Sequence, residues 1–252
     1  MKYLKKFDFI AEKMMIIDDD VDLLYNLYYK KDIDETNYSN FIKSTMFKES
    51  ETDTSILKNE LCIKANKINP CKIIINHYTD TDNYYTNHYN PSDKIISISV
   101  GRSAINYAKD NGGDLIKSLK ELTSSIQRER FTKEFTISRI KGSISHELSH
   151  WLDDTFHNSH ISKYITKNKD ANLSHYSKNT SYLEIESQMQ NIRQIHREYA
   201  DIWDLMSFDD MLSHAPSLHI ISQRLTYTER INWTNKLKKR MNRENLLGKD
   251  MR

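Results

Sequence analysis

The sequence predicts an α+β protein. Two observations carry that prediction. Two short β-branched runs, Cys71-Lys72-Ile73-Ile74-Ile75 and Lys94-Ile95-Ile96-Ser97-Ile98-Ser99-Val100, have the length and composition of strands. Apolar residues at steps of three and four mark helices over 135–154 and 182–206. A chain of 252 residues and 29.9 kDa has room for a real core in one or two domains.

The elements follow in order. Residues 1–50 read as helical. Phe7, Ile10, Met14 and Ile17 step at helical spacing, and Leu23, Leu24, Leu27 and Tyr28 suggest a second helix after a break at Asp18-Asp19-Asp20. Residues 48–60 are polar and read as a loop or a helix start. The run 71–75 follows Pro70 and reads as a strand. Residues 79–93 form a Tyr- and Asn-rich loop closed by Asn90-Pro91-Ser92-Asp93. Over 94–100, Ile96, Ile98 and Val100 alternate with Ser97 and Ser99, the pattern of a half-buried strand with one polar face. Asn111-Gly112-Gly113-Asp114 reads as a turn before a helix at 115–130.

Ile137, Ile140, Ile144, Leu148 and Leu152 then form the apolar stripe of the helix at 135–154. A polar connection covers 155–180. A long amphipathic helix at 182–206 carries Tyr182, Ile185, Met189, Ile192, Tyr199 and Trp203 on one face, and shorter helices fill 208–214 and 217–244. Residues 1–65 are expected to be an N-terminal helical extension or lobe, and 66–252 the main domain.

Charge excludes some functions. Thirty-seven Lys and Arg balance 35 Asp and Glu, for a net charge of +2, and the two signs are interspersed. No nucleic-acid partner is expected from that pattern. The basic run Lys236-Leu237-Lys238-Lys239-Arg240 reads as the solvated face of a helix. Cys62 and Cys71 are one pair without metal-ribbon spacing, and read as reduced thiols. The basic start Met1-Lys2-Tyr3-Leu4-Lys5-Lys6 meets acidic residues before any apolar run, so no leader peptide or membrane span is expected. A cytoplasmic location follows.

The chemistry concentrates in His146-Glu147-Leu148-Ser149-His150, which reads H-E-x-x-H. Histidines at i and i+4 on one helix face can reach one zinc ion, and the intervening glutamate can address a water on the same metal. On the helical wheel both histidines lie roughly opposite Ile144 and Leu148. Catalytic zinc takes three protein ligands, so a third is required. A histidine six residues after His150 would supply one, but Phe156 stands there; His157 and His160 are at other spacings. A glutamate on a later helix is the alternative, and the chain offers Glu184 and Glu186. Ser181-Tyr182-Leu183-Glu184 fits a capping box, which gives Glu184 a local duty and leaves Glu186 as the candidate ligand. Tyr176 and His175 lie between the ligand segments and are candidate donors to a tetrahedral oxyanion, Tyr176 foremost. Asp153 and Asp154, one turn after His150, are candidates to orient a ligand imidazole or are helix-end acids.

On these residues the chain resembles the zincin metallopeptidases of gluzincin type, and is similar to zincin-like proteins of tailed bacteriophages. The resemblance rests on 146–154, on the Glu184-Ile185-Glu186 stretch, and loosely on Leu225-Thr226-Tyr227-Thr228-Glu229-Arg230, and covers about residues 94–240. It implies a small mixed sheet over an active-site helix, with a helical C-terminal part, in a zincin-like domain at 66–252. Glu186 matches the second glutamate of the family's E-x-E pattern. The implied activity is zinc-dependent peptide-bond hydrolysis with Glu147 as general base. A polypeptide, phage or host, would be the substrate, and the host cytoplasm or the virion the place. The resemblance also implies that the strand nearest the cleft pairs with an extended substrate, and 94–100 is the candidate strand. The alternative is a phage virion or assembly protein that keeps the fold as a structural or binding module.

Overall fold

The computed structural model describes residues 17–31, 33, 48–77, 87–100, 125–157, 189–190, 192–197, 207–213 and 225–247. The chain divides into two units, Met1–Ser162 and Lys163–Arg252. The first is mixed α and β; the described part of the second is helical.

In the first unit, helix α1 spans Asp18–Tyr28. The Asp18-Asp19-Asp20 run, read from sequence as a break, is its first turn. Acids are favoured there because the helix dipole is positive at that end. The buried face is Val21, Leu24 and Tyr25, while Leu27 is exposed. Asp20 is fully buried; its carboxylate accepts from the Lys58 amide at 2.7 Å and the Asn59 amide at 3.1 Å. That contact fixes the start of helix α2 (Glu60–Ile68), which Asn59 caps through its own side chain on the Leu61 amide.

Four strands make one sheet. They are β1 (Lys48–Asp53), β2 (Lys72–His77), β3 (His88–Asn90) and β4 (Ile95–Val100), in spatial order β1-β2-β4-β3. β2 and β4 are parallel; the outer strands pair antiparallel to them. Two strands were not foreseen. β1, Lys-Glu-Ser-Glu-Thr-Asp, has no apolar alternation: Glu49, Glu51 and Asp53 face solvent, and pairing with β2 holds it. β3 has three residues and lies inside the segment read as a loop. The turn after it is as expected: the Asn90 side chain accepts from the Ser92 amide at 3.0 Å and the Asp93 amide at 3.3 Å. Lys94, expected to open the strand, instead ends this turn in left-handed backbone at φ 58°.

The register puts Ile73, Ile75, Ile96 and Ile98 on one face, all fully buried. Ser97 and Ser99 on the other face are buried too, so β4 is covered on both sides and is not half-exposed. β4 is also flanked on both edges, by β2 and by β3. It therefore does not offer the free edge expected of 94–100. Past the β3 ladder, the Ser99 amide donates to Asn87 Oδ1 at 2.5 Å. Among the described residues the sheet borders are β1 and β3.

Helix α3, Ser125–His157, is longer than the 135–154 expected. It packs against β3, β4, α1 and α2. One core joins Val21 and Leu24 of α1, Cys62 and Ala65 of α2, the sheet isoleucines, and Ile140, Ile144, Leu148, Trp151 and Leu152 of α3. A division at residue 65 falls inside α2, and the residues before it contribute to this same core. Lys141 of α3 reaches Asp22 of α1 at 3.0 Å and lies over the Tyr25 ring.

In the second unit, residues 192–197 are helical; Met189, Ile192 and Ile195 are buried, in keeping with the amphipathic helix expected there. Helices α4 (Phe208–Ser213) and α5 (Tyr227–Arg243) follow. Arg193 and Arg240 both reach the carboxylate of Glu244. No helix among the described residues is long and apolar enough to cross a membrane.

Candidate metal centre

The stripe Ile140, Ile144, Leu148 and Leu152 places one side of α3 in the core, as the sequence spacing requires. What the spacing did not indicate is the state of the other side. Ser145, His146, Glu147, Ser149, Asp153 and Asp154 are buried as well, so this stretch of α3 is enclosed nearly all round. Ser149 turns its hydroxyl back to the Ser145 carbonyl at 2.7 Å, which keeps that polar group satisfied within the helix.

His146 and His150 converge. Their Nε2 atoms stand 3.0 Å apart, with ring centroids 4.7 Å apart and planes at 81°. Two imidazole nitrogens this close share either one proton or one cation. Zinc at about 2.0–2.1 Å from each nitrogen, in tetrahedral geometry, needs about 3.3 Å between them. The pair is within a few tenths of an ångström of that. The two histidines therefore fit a common zinc ion. Glu147 Oε1 lies 3.9 Å from His146 Nε2, and the residue is 3 % exposed.

Among the described residues no third His, Cys, Asp or Glu completes the pair into a three-ligand group. Glu186 and Glu184 lie outside the described residues, as do Tyr176, His175, His160 and the side chain of His157.

Asp154 has a definite role, and it is neither solvated nor a mere helix-end acid. Its Oδ2 accepts from Tyr89 Oη at 2.6 Å and from Asn69 Nδ2 at 3.3 Å, with Lys94 Nζ at 4.0 Å. Asn69 Nδ2 also reaches Tyr89 Oη at 3.0 Å and Thr155 Oγ1 at 3.1 Å, and the Asn69 carbonyl accepts from Trp151 Nε1 at 2.8 Å. Burial first, and then the bond to Asp154, push the Tyr89 phenol far up, so it stays a donor. Sequence reasoning missed this network: Tyr89 fell in an apparent loop and Asn69 beside a proline, and neither carries a motif.

Both thiols are buried. Burial, followed by the nearby Asp20 carboxylate, raises Cys62, and burial raises Cys71 to about 11. Both are free, as expected of reduced cysteines.

The stretch 225–230 has a local explanation. Thr226 Oγ1 accepts from the Glu229 amide, and Glu229 reaches back to the Thr226 amide at 3.1 Å, a full capping box at the start of α5. No protein-family model matches the chain, and neither a curated protein nor a solved structure matches it.

Proposed function

We propose that this chain is a zinc-dependent peptide-bond hydrolase with a zincin-like arrangement, in which His146 and His150 hold the metal and Glu186 is the third ligand. The observation that carries the reading is the convergence of the two Nε2 atoms at 3.0 Å beside the buried Glu147. Enclosing the His146 imidazole and the Glu147 carboxylate, with His150 half-buried beside them, costs stability, which supports a functional reading of the set. A small mixed sheet lying against the motif helix supports the fold assignment.

A zinc ion held by His146, His150 and Glu186 would supply Lewis acidity toward a water and a substrate carbonyl. Glu147 takes the proton of the attacking water and delivers it to the leaving amine. Tyr176 is the first candidate to donate to the developing oxyanion, with His175 the second. The extended substrate pairs with a strand border, and β3, which packs on α3, replaces β4 in that role. The substrate is an unfolded or extended polypeptide, encountered in a cytoplasm or in a virion.

The test is metal analysis of the purified chain beside a His146→Ala variant, with cleavage of unfolded casein by wild type and Glu147→Gln. About one zinc per chain, lost in His146→Ala, and casein cleavage lost in Glu147→Gln, are the expected results. A chain that neither holds zinc nor takes it up overturns the reading. Zinc bound tightly without any cleavage favours a structural or binding module instead.

A further inference from the structure

We infer, on the metal-binding half of the reading above, that Asn69 is a positioning residue for the histidine pair: it locks the turn of α3 that follows His150 and keeps fraying of the helix from reaching that ligand.

Asn69 ends α2 and is itself buried. It bonds to one turn of α3 through both its backbone and its side chain. Its carbonyl accepts from Trp151 Nε1 at 2.8 Å, and its Nδ2 donates to Asp154 Oδ2 at 3.3 Å and to Thr155 Oγ1 at 3.1 Å. The Thr155 hydroxyl in turn donates to the Trp151 carbonyl at 2.7 Å, and the Tyr89 phenol holds Asp154 from the sheet at 2.6 Å. All these contacts fall on residues 151–155, directly after the second histidine.

That position matters because α3 ends at His157, about two turns past His150. Helix ends open first, since their last carbonyls have no partner within the helix. The apolar stripe does not hold this end: Leu152 is the last buried apolar residue of α3 among the described residues, and Phe156 is exposed. In an α-helix the amide of Asp154 closes the turn on the His150 carbonyl, and the amide of His150 closes the turn on His146. Opening the helix as far back as Asp154 therefore releases the turn that holds His150 opposite its partner. Asn69 grips α3 at Asp154 and at the residue after it, between the ligand and the helix end. A pair that is aligned in only a fraction of molecules binds its metal more weakly by that fraction.

The test measures zinc affinity of the full chain by competition with a chromophoric chelator, and peptide-resolved hydrogen exchange of the same chain without zinc. Asn69→Ala removes both Nδ2 bonds and keeps the carbonyl. Zinc affinity is expected to fall by about three- to tenfold, the order set by one hydrogen bond's worth of helix ordering. Exchange at 150–157 is expected to speed up while 140–145 stays as in the parent. Thr155→Val, which removes one bond of the lock at a half-buried position, is expected to move both readings the same way by about twofold. Should Asn69→Ala not fold, Thr155→Val decides. Parental zinc affinity in the variant overturns the lock and leaves the metal reading standing. Weakened zinc with exchange unchanged at 150–157, or sped up evenly over 140–157, overturns it too, since the loss then does not come from fraying of that end. A parent chain that takes up no zinc overturns the metal reading, and the lock with it.

Discussion

Two helices carry stretches that resemble peptidase motifs, and they are opposite in character. In α3 three polar residues of the motif are buried, Glu147 at 3 % exposure, His146 at 9 % and Ser149, while His150 is half-buried. In α5 the quoted stretch is on the surface, with Tyr227 at 80 % exposure, and its Thr226 and Glu229 are consumed in capping their own helix. Both matched a pattern of letters. Of the two stretches, only the one in α3 encloses polar groups in the interior of its unit. The cost of burying a polar group is the filter that a sequence pattern lacks.

That contrast can be broken or sharpened by substitution. The largest effect is expected at Glu147: Glu147→Gln should lower turnover of casein by about 10²–10⁴-fold with zinc retained, measured beside Thr226→Ala, for which turnover per folded molecule should not change. Equal losses in both would erase the distinction between the helices. Zinc affinity comes next. His146→Ala and His150→Ala should each cost more than the roughly 10–100-fold typical of residues that only support a ligand, read by competition with a chromophoric chelator. Glu186→Ala should weaken zinc far more than Glu184→Ala, and equal affinity in Glu186→Ala and wild type would remove Glu186 from the ligand set.

Smaller effects concern stability. Leu148→Ala, at a fully buried position of α3, should cost about 2–5 kcal/mol in chemical denaturation. Thr226→Ala in α5 should cost about 1 kcal/mol. If the two costs were alike, α3 would not be the better-packed helix. The thiols give the finest probe. A raised pKa means less thiolate, so at pH 8 Cys71, at about 11, holds about a thousandth of its thiol ionised. Iodoacetamide should label the folded chain very slowly and the unfolded chain quickly; rapid labelling of folded protein would place these cysteines outside the core.

The α+β class and the motif helix were legible because each rests on a period. Ile140, Ile144, Leu148 and Leu152 repeat every four residues, and Ile73/Ile75 and Ile96/Ile98 every two. β1 was not legible, because its solvent face is acidic and its other face carries Ser50 and Thr52; only a neighbouring strand makes it a strand. β3 was too short to show a period. Asp20 likewise belonged to an apparent break, since nothing local announces a carboxylate that serves Lys58 and Asn59 nearly forty positions away. At the candidate site the helical pair was readable from i, i+4 spacing. The Tyr89–Asn69–Asp154 network was not, because its members meet only through tertiary structure.

The acidic face of β1 has a consequence for the molecule among its own kind. A bare strand border is an invitation to a second chain, and identical chains carry identical invitations. Glu49, Glu51 and Asp53 recur at every second residue along that border and are exposed. Two copies approaching border to border would oppose row to row of like charge, with little distance to relax it. The β1 side, as the described residues show it, thus turns its siblings away.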